Sequence, residues 1–195
     1  MGSILKKFMK QENISYRKLN ILGCYLLSPK LFKDSRGAFQ ETYNKKIFNQ
    51  IIGYNYNFKQ DNISISNKHV LRGLHFQIKK PQGKLLRVLN GSIFDVFVDL
   101  RKKSPTFKKY QTIILKKSDN LILWLPPGIA HGFYAKTSNV ILNYKVTEFY
   151  NPKDEYTLQW NDKKLNIKWP SKKPILSKKD KYESLSFFKV LDLIN

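Results

Sequence analysis

The chain has 195 residues, 14% of them aromatic, and a formal charge of +22. That length fits one domain with room for a sizeable core, and the aromatic content excludes a disordered chain, which lacks the apolar surface to offset ordering entropy. No apolar run reaches the roughly 18 residues needed to span a bilayer, and MGSILKKFMKQEN has neither the apolar core nor the cleavage site of a signal peptide.

The first 20 residues read as an extension preceding a single domain over 21–195. Met1-Gly2 opens a myristoylation-like start, but Lys6 stands where that motif needs Ser or Thr. The lone Cys24 has no partner for an internal disulfide, which fits a cytosolic protein. Next comes a helix, NKKIFNQIIG. Asn44 is suited to the N-cap, Ile47, Phe48, Ile51 and Ile52 form one apolar face, and Gly53 stops it.

From Phe58 to Gln159 short apolar runs alternate with turns at intervals of roughly 8–12 residues, the rhythm of an all-β sandwich or barrel. Strands are expected at Asn62–Ser66, Val70–Phe76, Tyr110–Leu115, Leu121–Leu125, Gly132–Ala135 and Val140–Thr147. In KLLRVLNGSIFDVFVDL, Asn90-Gly91 is a type I′ hairpin signal between two further strands. There Phe94, Val96, Val98 and Leu100 share one face, and Asp95, Phe97 and Asp99 the other. The Lys-rich stretch from Ser171 is irregular, with a terminal helical segment. These elements predict an antiparallel jelly-roll barrel with a short N-terminal helix, a fold that holds a small ligand in its mouth.

Only five of the 36 basic residues are arginine. Lys, Asn, Ile, Tyr and Phe are all abundant and the lysines are scattered, which is how an AT-rich gene writes a surface. A nucleic-acid-binding barrel would instead need a contiguous basic groove with exposed aromatics. Chemistry must come from few residues. Of the three histidines, His75 lies in VLRGLHFQ, on one alternating face with Gly73, which would leave room above the imidazole. A neutral imidazole suits proton abstraction at neutral pH. In LPPGIAHGF, Pro126, Gly128 and His131 fit the P-x-G-x-x-H element of cupin barrels. No H-x-H pair accompanies it, so no metal is expected. Tyr144 alternates with Leu142 and Val146 on one face, a core tyrosine or a general acid.

DSRGAFQETYN, QDNISIS, VLRGLHFQ, PQGKLLRV, GSIFDVFVDLRKKSPTF, LWLPPGIAHGF, NYKVTEFYNPKDE, WNDKKLNIKWP and LSKKD follow one another in this order. This set resembles the dTDP-4-dehydrorhamnose 3,5-epimerase family of cupin-fold enzymes, over Leu22 to Asp180. The resemblance implies epimerisation of dTDP-4-dehydro-6-deoxyglucose at C3 and C5 through an enolate, without a cofactor. It assigns His75 as base, Asp180 as its orienting partner, Lys84 beside the C4 oxygen, Tyr144 as proton donor and His131 as a substrate contact. By the same likeness Arg36 and Arg72 contact diphosphate, Glu41, Gln60 and Asn62 contact nucleotide and sugar, and Tyr150 stacks on thymine. Glu155 and Lys179 are further binding positions.

It also implies a homodimer with composite sites, to which Arg36, Glu41, Gln60 and Asn62 lie on segments lent to a neighbour. Nucleic acid and membrane are not expected partners. The chain departs from the family at Ala38 and Gln40, where aromatics are usual, and at Phe149, where a tyrosine is. A single-site 3- or 5-epimerase and a non-catalytic sugar-binding cupin are the alternatives. The second would not need His75, Lys84, Tyr144 and Asp180 together.

Overall fold

Asn44 begins the helix as its sequence suggests. Its side chain accepts from the Ile47 N–H, and Gly53 closes the helix at φ 73°. The computed structural model describes residues 8–194. In chain order it contains strands β1 (Met9–Gln11), β2 (Ile14–Lys18), β3 (Tyr25–Pro29), β4 (Phe32–Asp34) and β5 (Gly37–Phe39), then helix α1 (Lys45–Ile52). Strands β6 (Gln60–Ser66), β7 (Leu71–Gln77), β8 (Lys84–Asn90), β9 (Ser92–Asp99) and β10 (Tyr110–Lys116) follow. Then come β11 (Ile122–Leu125), β12 (Ile129–Ala135), β13 (Val140–Val146), β14 (Glu155–Thr157), and helices α2 (Lys178–Tyr182) and α3 (Phe187–Leu193).

Two antiparallel sheets form a jelly-roll barrel. One runs β1-β2-β3-β11-β8-β13-β6, the other β10-β9-β12-β7-β14, and β4-β5 is a separate hairpin. Leu26, Leu86, Phe97, Leu123, Phe133 and Leu142 meet between the sheets. Outside the five-stranded sheet, Val96 and Val98 pack under Leu158, Ile167, Phe187 and Val190 of the C-terminal segment. Outside the seven-stranded sheet, Trp124 and Leu85 pack under Ile47, Phe48 and Ile51 of α1, while Ile52 is only partly buried. Each such fully buried side chain contributes about 1.5–3 kcal/mol relative to exposure.

The structure corrects two expectations. Asn90-Gly91 is not a type I′ hairpin: β8 and β9 lie in different sheets, and Gly91 alone takes positive φ, at 81°. The turn is a corner where the chain crosses between sheets. Both strands carry apolar side chains on two faces, so each is covered on both sides in its own sheet. Residues 9–18, expected to precede the domain, add β1 and β2 to the edge of the larger sheet, and Ile14 is buried there. The expected C-terminal helical segment is present as two short helices, α2 and α3. No helix among the described residues is long and apolar enough to cross a membrane.

Candidate active site

β7 and β12 run side by side, with His75 paired to His131. The register then shifts, so Phe133 is opposite Arg72. Strict alternation would send Arg72 to the face opposite His75. The irregularity instead brings both to one cavity of about 350 Å³ between the sheets. Gly73 sits at that irregularity with φ 110°. A Cβ there would come within 2.6 Å of the His131 carbonyl oxygen and 2.7 Å of Gly132 Cα. The glycine therefore permits close approach of two backbones; it does not clear space above the imidazole as alternation suggests.

His75 Nε2 lies 2.6 Å from Asp180 Oδ1. The carboxylate is 3% exposed, and its other oxygen accepts from Ser177 Oγ at 2.9 Å. Ser177 caps α2 and places Asp180 in the helix's first turn, while Lys179 beside it binds Glu155 of the cavity wall. Asp180 takes one ring nitrogen, fixing the tautomer, and leaves the other with a lone pair.

Lys84 enters from β8 and donates from Nζ to the His75 carbonyl at 3.1 Å. Burial lowers its pKa to about 8, partly offset by the Glu155 and Asp95 carboxylates. Tyr144, on β13, faces the same cavity beside Leu142. Burial raises its pKa above the usual phenol value, against a smaller opposing pull from Arg72. It is thus a protonated donor at neutral pH.

Gln60 and Asn62 of β6 line their own chain's cavity, contrary to their grouping with segments lent to a neighbour. Gln60 also ties down the rim: its Oε1 accepts from the Tyr150 N–H at 2.9 Å. The Tyr150 hydroxyl donates to Glu155 at 3.2 Å. Arg72 is held at the mouth by Ser66 Oγ and the Ile65 carbonyl. Two expected residues stand apart. Arg36 projects from the β4–β5 hairpin, its side chain 88% exposed and paired with Asp34, and Glu41 accepts from Asn44. Neither lines the cavity.

Sequence reasoning missed Asp95. It is fully buried, with Oδ2 2.8 Å from His131 Nε2 and Oδ1 without a hydrogen-bond partner. A carboxylate inside the apolar run IFDVFVDL was the available signal, because a buried charge needs a partner. Ser64 and Phe133 were missed as well, although both continue the alternation of named site residues, Asn62 and His131. Among the described residues, no three His, Cys, Asp or Glu side chains form a metal-holding group. The cavity thus joins a carboxylate-oriented base, a buried cation and a phenol, equipment for moving protons on and off carbon.

The model of the dTDP-4-dehydrorhamnose 3,5-epimerase family matches residues 18–186. The Salmonella typhimurium dTDP-4-dehydrorhamnose 3,5-epimerase is 46% identical over 165 residues, 84% of this chain and 90% of that protein. The crystal structure of the Elizabethkingia anophelis dTDP-4-dehydrorhamnose 3,5-epimerase superposes with a TM-score of 0.87 at 39% identity, covering 91% of this chain and 98% of that one. A dTDP-6-deoxy-D-glucose-3,5-epimerase from Legionella pneumophila, solved with dTDP-4-keto-L-rhamnose, gives 0.85 at 38% identity, covering 93% and 95%.

Proposed function

Since the chain belongs to the dTDP-4-dehydrorhamnose 3,5-epimerase family, and is an isomerase of that kind, we propose that its cavity converts dTDP-4-dehydro-6-deoxy-D-glucose to dTDP-4-dehydro-L-rhamnose. The observation that carries this reading is the His75–Asp180 pair, set in one cavity with Lys84 and Tyr144.

The 4-keto group acidifies the hydrogens on C3 and C5. His75 takes the proton through its free ring nitrogen, and Asp180 stabilises the resulting imidazolium. Negative charge moves to the C4 oxygen, where the Lys84 ammonium holds it. Tyr144 donates a proton to the opposite face, which inverts the centre. Only protons move, so the step calls for no redox carrier. Arg72 receives the diphosphate, as guanidinium geometry favours. Tyr150 stacks on the base, with Gln60, Asn62, His131, Glu155 and Lys179 as the remaining contacts.

Arg36 is free of its own cavity, which supports a homodimer in which the partner subunit's Arg36 completes the diphosphate site and the partner subunit's Glu41 the nucleotide site. Cytosolic action fits a chain whose one cysteine, Cys24, is reduced and buried.

Proton NMR of the substrate in D₂O tests the activity. Deuterium is expected at both C3 and C5. Uptake at one carbon alone would make the chain a single-site epimerase. Binding without any exchange would make it a sugar-binding cupin.

A further inference from the structure

On the outer side of the five-stranded sheet, residues 160–172 fold around a second concavity of about 400 Å³. Trp160 and Trp169 wall it, their ring centroids 6.5 Å apart and their planes at 70°. Trp169 donates from Nε1 to the Trp160 carbonyl at 2.7 Å, and its ring packs on Phe94 at 5.8 Å. The corner is therefore rigid before any ligand arrives. Phe94 points outward on β9, while its neighbour Asp95 points inward to His131, so the thickness of the sheet separates this concavity from the catalytic one.

The lining also carries Lys163, Lys168 and Lys172. Lys168 donates to the neutral Asn166 side chain. None of the three has a salt-bridge partner among the described residues. The one acid in the lining, Asp162, is 8% exposed and spent on backbone. Its Oδ1 accepts from Lys164 N and Leu165 N, and its Oδ2 from Phe187 N. The site therefore offers an apolar aromatic corner with a one-sided positive rim.

The geometry points to a binding site for a nucleoside phosphate, its base against the indoles and its phosphate among the lysines. Phosphate alone would leave the indoles unused, and an uncharged ring would leave the lysines unused. Compact ammonium groups suit phosphate as point charges, and indole faces hold any base. The same chemistry is offered by a free nucleotide and by the end of a nucleic-acid strand.

The test reads the site directly. The chain has three tryptophans, and Trp124, fully buried beneath α1, is an internal reference. Protein labelled with ¹⁵N at the indoles is titrated with AMP. Saturable shifts of the Trp160 and Trp169 resonances are expected, with Trp124 unmoved. In the triple variant Lys163→Glu, Lys168→Glu, Lys172→Glu the affinity should fall at least about tenfold through reversed charge, while epimerase turnover is unchanged. No shift at millimolar AMP would overturn the site. So would equal shifts from inorganic phosphate or from adenosine, or equal affinity in the triple variant. A tetradeoxyadenylate that binds more tightly than AMP would identify a nucleic-acid strand as the source, and equal or weaker binding a free nucleotide; both support the site.

Discussion

The two imidazoles of the catalytic cavity are each anchored by a carboxylate, but the roles proposed for them differ. His75 is the base, so His75→Ala should remove both solvent deuterium uptake and turnover, by about 10²–10⁴-fold or more. Tyr144→Phe removes one hydroxyl and little volume. Abstraction by His75 should continue there, so exchange at C3 or C5 should outlast net inversion when both are followed by NMR. Equal and total loss of exchange in Tyr144→Phe, with substrate still bound, would give Tyr144 another role. Lys84 makes a separate prediction. Its ammonium must be charged to hold the enolate, and burial places its pKa at about 8. The kcat/KM profile of the free enzyme should therefore lose activity as pH rises through about 8. Tyr144 titrates higher than an ordinary phenol, so this limb should persist in the deuterium exchange that Tyr144→Phe retains. Stability should move the opposite way. The unfolded chain keeps the lysine proton up to 10.5, so between 8 and 10.5 it binds more protons than the fold, and this group's penalty on folding shrinks as pH rises. A urea midpoint that falls over that window in wild type relative to Lys84→Met would contradict the assignment.

Single elements carry the geometry these side chains need. The β7–β12 ladder holds His75, Arg72 and His131 only because Gly73 lets the backbones nearly touch. Gly73→Ala combines a positive φ with contact to backbone that cannot swing away. It should cost at least about 2–3 kcal/mol and activity well beyond that loss of stability, read by thermal melts beside turnover. Asn44→Ala should be milder, about 0.5–2 kcal/mol, with kcat unchanged, because α1 covers the far side of the seven-stranded sheet. The helix was legible because both its ends are local chemistry, an Asn cap and a left-handed Gly. The faces of β9 and β13 were legible because alternation is local too. Partner choice was not. Asn90-Gly91 reads as a hairpin on any local rule, and only the burial of β8 and β9 in separate sheets decides otherwise. Arg72 was named by likeness to a family, since its place beside His75 depends on a register shift invisible in a single chain. Asp180 gave no signal of its own, because its partner lies in another element altogether.

At the scale of the whole molecule, the question is what Arg36 does outside its own cavity. In the proposed homodimer it completes the partner's site. Arg36→Ala should weaken substrate binding by tenfold or more, the loss of a charged hydrogen-bonding group, while light scattering still reports a dimer. Mixing Arg36→Ala with His75→Ala chains, then unfolding and refolding them together, sharpens the test. Each mixed dimer would hold one site with both wild-type residues, so random pairing should restore about a quarter of wild-type activity from two impaired parents. Activity no higher than the parents' mean would return Arg36 to its own subunit's surface.

Asp180 follows His75 by 105 positions. A ribosome adding about 5–20 residues per second makes the imidazole roughly 5 to 20 seconds before the carboxylate that orients it. Strands β8–β14 emerge in that interval and can join the earlier strands to begin enclosing the cavity, but His75 has no carboxylate partner and the Val96–Val98 face has no cover from Phe187 and Val190. On the proposed mechanism the nascent chain is therefore expected to be silent until Asp180 reaches His75. A chain that stops between Lys84 and Asp180 would carry His75 without its carboxylate partner, and on the proposed mechanism a metabolite meeting that unfinished polypeptide would be left unchanged.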